Sequence, residues 1–156
     1  MTQQKQLLIV ANTPSENTKQ LADAAIRGAQ HPDIENVKTL FIPPLDTGVD
    51  DVLNADAILL GTTENFGYMS GELKTFFDRI YYPVLEQKQG LPYALYVRAG
   101  LDGSGTISAV NRIVKGLRWR AVQDPLLCHG SYDARFISEV EELGMLMSAS
   151  LSAGIV

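Results

Sequence analysis

Residues Ala57–Ile80 read AILLGTTENFGYMSGELKTFFDRI, and three textures follow one another within them. Ala57–Gly61 is an apolar run of the length and continuity expected of a strand covered on both faces. Thr62–Gly71 mixes small, polar and aromatic residues and reads as a loop. Leu73, Phe76, Phe77 and Ile80 then recur at i, i+3, i+4 and i+7, while Lys74, Asp78 and Arg79 face away, which predicts an amphipathic helix. A buried strand leading through a loop into a helix is half of a βαβ unit.

The same alternation extends in both directions. Leu7–Ala11, Val37–Ile42 and Tyr93–Val97 are further strand candidates, and a last one lies inside Arg120–His129. Pro125 interrupts that last candidate, which places it at a sheet edge. Helical stripes fall between them: Leu21, Ala25, Ile26 and Ala29, ending near His31-Pro32; Ile107, Val110, Val114 and Leu117; and Phe136, Val140, Leu143 and Met147. Asp50–Asp56 is long enough for a turn or two of helix. The pattern predicts a three-layer α/β fold: a five-stranded parallel sheet in the order 2-1-3-4-5 with helices on both faces. With no repeat, low-complexity segment or linker, residues 1–156 read as one domain.

Bulk properties narrow the function classes. A hydrophobic share of 46% and a charged share of 20% are those of a folded globular chain. The net charge of -5 argues against a nucleic-acid partner. Cys128 is the only cysteine, so the chain has neither an internal disulfide nor a cysteine-cluster metal site. Cys128-His129 cannot pair as nucleophile and base, because adjacent strand residues point to opposite faces. His31 before Pro32 reads as a helix-exit residue. No apolar run approaches the roughly 20 residues that cross a bilayer, so the expectation is a cytoplasmic protein with no membrane partner.

Ligands of such sheets bind outside the carboxyl ends of the strands, where Asn12–Thr18, Thr62–Gly71 and Arg98–Gly105 should lie. In the first loop, the hydroxyls of Thr13, Ser15 and Thr18 and the Asn17 amide meet the open N–H groups of a helix N-terminus. That is an anion site or an ordinary N-cap; the loop alone leaves both open. It has no Gly-Lys-Ser/Thr, which argues against nucleoside-triphosphate chemistry, and no Gly-x-Gly-x-x-Gly turn for a dinucleotide. A receiver domain would need acidic residues where Asn12-Thr13 and Gly61-Thr62 stand.

Phe-Gly-x-Met-Ser-Gly-x-x-Lys-x-Phe-x-Asp-Arg, spanning Phe66 to Arg79, resembles the flavoprotein oxidoreductase branch of the flavodoxin-like family. Thr13-Pro14-Ser15-Glu16-Asn17-Thr18 is similar to that family's phosphate loop, and Glu142–Ile155 to the closing helix of its small bacterial members. The resemblance implies bound FMN. Thr13, Pro14, Ser15, Glu16, Asn17 and Thr18 would surround its phosphate. Thr63, Glu64, Asn65, Phe66, Gly67 and Tyr68 would run beside the isoalloxazine ring, and Arg98, Ala99, Gly100 and Gly103 would form the third flavin loop. Phe66 and Tyr68 would either touch the ring or anchor their loop to the protein.

Glu16 stands where the family's loop usually has Gly, Thr63-Glu64-Asn65 replaces the Pro-Thr-Arg of quinone-reductase relatives, and Tyr68 takes a position often filled by Asn. The chain also has little room for the insertion that helps those relatives tetramerise. Three functions fit the resemblance: an NADH- or NADPH-dependent reductase of a quinone or other small acceptor, an electron carrier serving a redox partner protein, or a binding module. A homodimer is compatible with each. The third loop holds no aromatic residue, which favours the reductase, because one ring face would be open to a nicotinamide.

Overall fold

The computed structural model describes residues 3–156. Its elements run β1 (Lys5–Ala11), α1 (Glu16–Ala29), β2 (Val37–Phe41), α2 (Val49–Leu53), β3 (Ala57–Asn65), β4 (Tyr68–Met69), α3 (Gly71–Val84), β5 (Pro92–Ala99), α4 (Ser104–Leu117), β6 (Arg120–Ala121), β7 (Leu126–His129) and α5 (Arg135–Ala153). β2, β1, β3 and β5 lie side by side in that order, all parallel, and β6 and β7 both pair in parallel with β5.

The layers follow from the pleat. Successive residues of a strand face opposite sides. Leu7 and Ile9 of β1 and Ala57 and Leu59 of β3 therefore join α1 and α5 through Leu21, Val140 and Leu143. Leu8 and Val10, with Ile58 and Leu60, join α3 and α4 on the other face, where Phe76 and Phe77 fill the core. Burying an aromatic side chain of that size contributes about 1.5–3 kcal/mol. The three-layer flavodoxin-like arrangement expected from the sequence is present.

The strand count differs from the expected five: among the described residues, the sheet has seven strands. Two local events account for the excess. β3 continues past Gly61 to Asn65 and folds back, so that Glu64 and Asn65 pair antiparallel with Met69 and Tyr68 of β4. The outermost strand is broken. Tyr93 pairs with Ala121 and Tyr96 with Leu126, so three steps along β5 correspond to five along its neighbour. The two extra residues, and the missing N–H of Pro125, push the chain between β6 and β7 out of the ladder. The strands expected from the sequence lie side by side in the expected order, as β2-β1-β3-β5 and then an outer strand divided into β6 and β7, so it is the count of five that fails. Among the described residues, no helix is long and apolar enough to cross a membrane.

Candidate functional site

Because β1, β3 and β5 are parallel, their following loops emerge at one edge of the sheet. In the first loop, Ser15 caps α1: its Oγ accepts from the N–H of Thr18 (3.2 Å), and Thr18 Oγ1 accepts from the N–H of Ser15 (2.9 Å). The two hydroxyls lie 3.0 Å apart, and Thr18 Oγ1 also donates to the Ser15 carbonyl (2.9 Å). The cap is therefore realised in full, and the Ser15 and Thr18 hydroxyls are committed to it. The first helical hydrogen bond runs from Lys19 N–H to the Ser15 carbonyl (2.9 Å), so the amides of Glu16 and Asn17 precede the ladder and stay available to an anion. Thr13, Pro14, Glu16 and Asn17 are exposed around them.

The second loop is tied to the first by Asn12. Its buried side chain accepts from the Thr63 N–H (3.3 Å) and donates to Thr63 Oγ1 (3.2 Å), which in turn donates to Asn65 Oδ1 (3.0 Å). Thr62 Oγ1 accepts from Ser70 N–H (3.0 Å), and Ser70 Oγ accepts from Leu73 N–H (3.1 Å) to cap α3. Between these ties, Phe66 and Gly67 form the tip of the β3–β4 hairpin at φ values of 54° and 75°. Paired left-handed residues give the primed turn that matches strand twist. Gly67 adopts that conformation freely, whereas Phe66 does so against a steric cost. Phe66 is also fully exposed, at 107%, so its ring anchors nothing. The loop is instead held by buried Met69 and Ser70, while Tyr68 is partly exposed.

The third loop leaves β5 through buried Ala99 and exposed Gly100. Gly103 caps α4 at a φ of 70°, and a Cβ there would lie 2.4 Å from Leu127 Cδ1, so the position tolerates little else. Asp102 accepts from the N–H and hydroxyl of Ser104 (3.1 Å each), which holds its carboxyl below the usual range. The Arg98 guanidinium takes a different path. It donates to the carbonyls of Ala99 (2.7 Å) and Cys128 (3.1 Å) and sits over the rings of Tyr132 and Phe136, 5.7 and 5.4 Å from their centroids. Its charge joins β5, β7 and α5, and the backbone of Arg98 is what reaches the loop.

The edge thus gathers Thr13–Thr18, Thr63–Tyr68, Ala99, Gly100 and Gly103, with the Arg98 side chain turned into the packing. Sequence reasoning passed over three contributors. Asn12 joins the first two loops; its signal was a polar residue directly after a buried strand. Tyr132, whose hydroxyl donates to Gln20 Oε1 (3.0 Å) and Asn17 O (3.4 Å), links α1 to the Arg98 cluster and carried no pattern. Gly105 lets the hairpin tip rest on α4, since a Cβ there would lie 2.0 Å from the Gly67 carbonyl oxygen. Cys128 is buried and burial pushes its thiol up to about 12, whereas His129 is exposed; the two face apart, as adjacent strand residues should. Among the described residues, no group of three or more His, Cys, Asp or Glu side chains is placed to hold a metal ion.

Two open first-turn amides suit a phosphate. Gly67 and Gly100, each with no atom within 4 Å of its Cβ direction, leave room for a flat ring beside the backbone. These features fit FMN. The profile of the family described as NADPH-dependent FMN reductase matches residues 5–125. The chain belongs to that family.

The family also fits what the chain is similar to more distantly. A flavodoxin from Aquifex aeolicus (strain VF5) is 30% identical over 74 residues, which are 47% of this chain and 39% of that protein. A flavodoxin structure from the domain Archaea superposes with a TM-score of 0.74 at 21% identity, covering 95% of this chain and 99% of that one. A flavodoxin, WrbA-like protein from Agrobacterium tumefaciens gives a TM-score of 0.72 at 13% identity, over 97% and 98% of the two chains. At such identities the structural likeness establishes the shared flavodoxin-like fold. Within the FMN reductase family the matched segment of this chain holds all three loops, and it ends at Pro125, where the outer strand breaks.

Proposed function

We propose that the protein is an FMN-dependent oxidoreductase that accepts a hydride from NADH or NADPH and delivers electrons to a quinone or another small acceptor. The observation that carries this reading is the third loop. From Ala99 to Gly103 it offers no aromatic ring, and its one large side chain, Leu101, is 77% exposed. When bound, FMN supplies the ring chemistry. The protein's part would be to hold and uncover it: the Glu16 and Asn17 amides would receive the phosphate, the Asn12–Thr63 tie fixes the first two loops together, and Ala99-Gly100, with almost no side chain, would border the ring.

A carrier serving a redox partner protein is the second reading. It draws on Phe66, a fully exposed aromatic held at a left-handed φ, which a protein surface could cover. Anaerobic stopped-flow mixing of the FMN-loaded protein with NADPH and with NADH separates the two. The reductase bleaches with saturable kinetics, and Leu101→Tyr slows the bleaching on the order of a hundredfold by displacing the nicotinamide about an ångström. A flavin that stays oxidised with both nucleotides yet exchanges electrons with a reduced protein partner selects the carrier.

A further inference from the structure

Thr63 and Asn65 lie at the end of β3, beyond its apolar run, and the pleat decides which way they face. Ala57 and Leu59 are turned to α1 and α5, and a Cβ at Gly61 would lie 2.3 Å from Tyr96 Cζ, whose ring packs in the same cluster. Continuing by twos, Thr63 and Asn65 face the side of the sheet that carries α1 and its first turn. By the same count, Glu64 between them is turned to the side of α3 and α4.

Three side chains form a relay at this place. The Thr63 N–H donates to Asn12 Oδ1 (3.3 Å), Asn12 Nδ2 donates to Thr63 Oγ1 (3.2 Å), and Thr63 Oγ1 donates to Asn65 Oδ1 (3.0 Å). Its polarity follows from what each group can do. A backbone N–H only donates, so it must meet the oxygen of the Asn12 amide. The Asn12 nitrogen then falls on the Thr63 hydroxyl and donates to it, which leaves the hydroxyl proton for the next acceptor. That acceptor is the Asn65 oxygen, so the Asn65 NH2 is turned away from the relay and donates to no group among the described residues. Asn12 is buried, whereas Asn65 is exposed. One end of the relay is fixed in the protein and the other opens to a ligand.

The surroundings favour a phosphate as that ligand. Neither Asn12–Thr18 nor Thr62–Gly71 contains a Lys or Arg, and Glu16 stands in the first loop. A phosphate at this edge must be held by neutral donors, and the Glu16 and Asn17 amides lie on the same side of the sheet. A third donor adds substantially to two, because a hydrogen bond to a charged group is stronger than a neutral one. An amide turned the other way would set its oxygen against the anion.

We propose, resting on the FMN-dependent reading above, that Asn65 donates to the FMN phosphate and that Asn12, acting through the Thr63 hydroxyl, is the positioning residue that keeps the NH2 turned to it. Asn65 thus belongs with the phosphate loop, although its own loop runs on to the hairpin.

The test titrates the full chain, freed of flavin, with FMN and with riboflavin, which lacks the phosphate, and follows flavin fluorescence. Asn65→Ala should weaken FMN about tenfold or more, the effect of losing one hydrogen bond to a charged group, and leave riboflavin within about twofold. Thr63→Val removes the hydroxyl link and lets the Asn65 amide turn, so it should weaken FMN about fivefold and also spare riboflavin. Thr63→Ser restores the hydroxyl and should restore the affinity. In the double variant the loss should stay at about tenfold and not reach about fiftyfold, because both substitutions remove one contact. The ³¹P resonance of bound FMN should move in both single variants and return to its wild-type position in Thr63→Ser. An unaltered circular dichroism spectrum shows that each variant is folded.

Unchanged FMN affinity in Asn65→Ala overturns Asn65 as a phosphate donor. Equal weakening of FMN and riboflavin puts the amide on the ring and overturns the assignment to the phosphate. Losses that add in the double variant overturn the relay, because Thr63 then acts on the ligand by itself. Wild type that binds neither flavin overturns the cofactor reading beneath the proposal, an outcome distinct from wild type that binds FMN with Asn65→Ala binding it as well.

Discussion

On one face of the sheet, α1 and α5 approach until their backbones touch. A Cβ at Gly28 would lie 1.9 Å from the Glu141 carbonyl oxygen, and one at Gly144 would lie 2.2 Å from that of Ala25. On the other face, the glycines of α4 receive a loop carbonyl and a tyrosine hydroxyl, and α3 and α4 stay apart over a trough. The same residue type closes one interface and shapes an opening in the other. The locked face carries the first turn of α1, whose fixed amides would hold the phosphate in the proposed function. The open face borders the exposed β3–β4 hairpin.

That contrast breaks most directly at Gly144. Replacing it with Ala sets a methyl group against backbone, which cannot rotate away as a side chain can, so Gly144→Ala should cost about 3 kcal/mol. In a domain of this size the melting temperature would fall by about 6–12 °C, read by circular dichroism of the apoprotein. A loss below about 1 kcal/mol would mean that α1 and α5 adjust freely and the faces are alike.

Gly105→Ala should act on the ligand more than on the fold. The Gly67 carbonyl belongs to an exposed hairpin tip that can lift, so we expect a stability loss of about 1 kcal/mol and FMN affinity reduced about tenfold through the displaced second loop. Fluorescence titration of FMN measures the affinity. A stability loss equal to that of Gly144→Ala would make the open face as unyielding as the locked one.

The smallest effect is expected at Ser15. Its hydroxyl caps α1 and is engaged with Thr18, so Ser15→Ala should cost about 1 kcal/mol in apoprotein stability. FMN affinity should follow that loss, by no more than about fivefold. A much larger drop in affinity with unchanged stability would show the hydroxyl itself on the phosphate.

The buried parts of this fold were legible because burial leaves periodicity. Leu73, Phe76, Phe77 and Ile80 announce α3, and all are fully or nearly fully buried. The strands of the sheet centre appear at Leu7–Ala11 and Ala57–Gly61 as apolar runs, though β1 and β3 extend beyond them to Lys5 and Asn65, where both faces are partly exposed. The hairpin was not legible, since it depends on Phe66 adopting a conformation unusual for its type. The division of the outer strand was half legible: Pro125 marked the place, but the two-residue offset is a property of pairing. At the site, the cap residues of α1 and α3 could be read locally. The partners of Arg98 could not, because Tyr132 and Phe136 lie more than thirty positions away in sequence and meet it only through β7. The trough between α3 and α4 did leave a trace in Gly105 and Gly116, two helix-weakening residues repeated on one face of α4.

The broken outer strand bears on how the molecule keeps to itself. An exposed sheet edge is a row of unpaired N–H and C=O groups, and a long flat one recruits strands from other chains. Here that row comes in a piece of two residues, Arg120–Ala121, and a piece of four, Leu126–His129, offset by an outward loop that includes a proline without an N–H. An incoming strand would find no register that serves both pieces. The interruption that complicates the topology thus protects the apolar centre of the sheet, including Leu59, Leu60 and Leu95, from being extended into an aggregate.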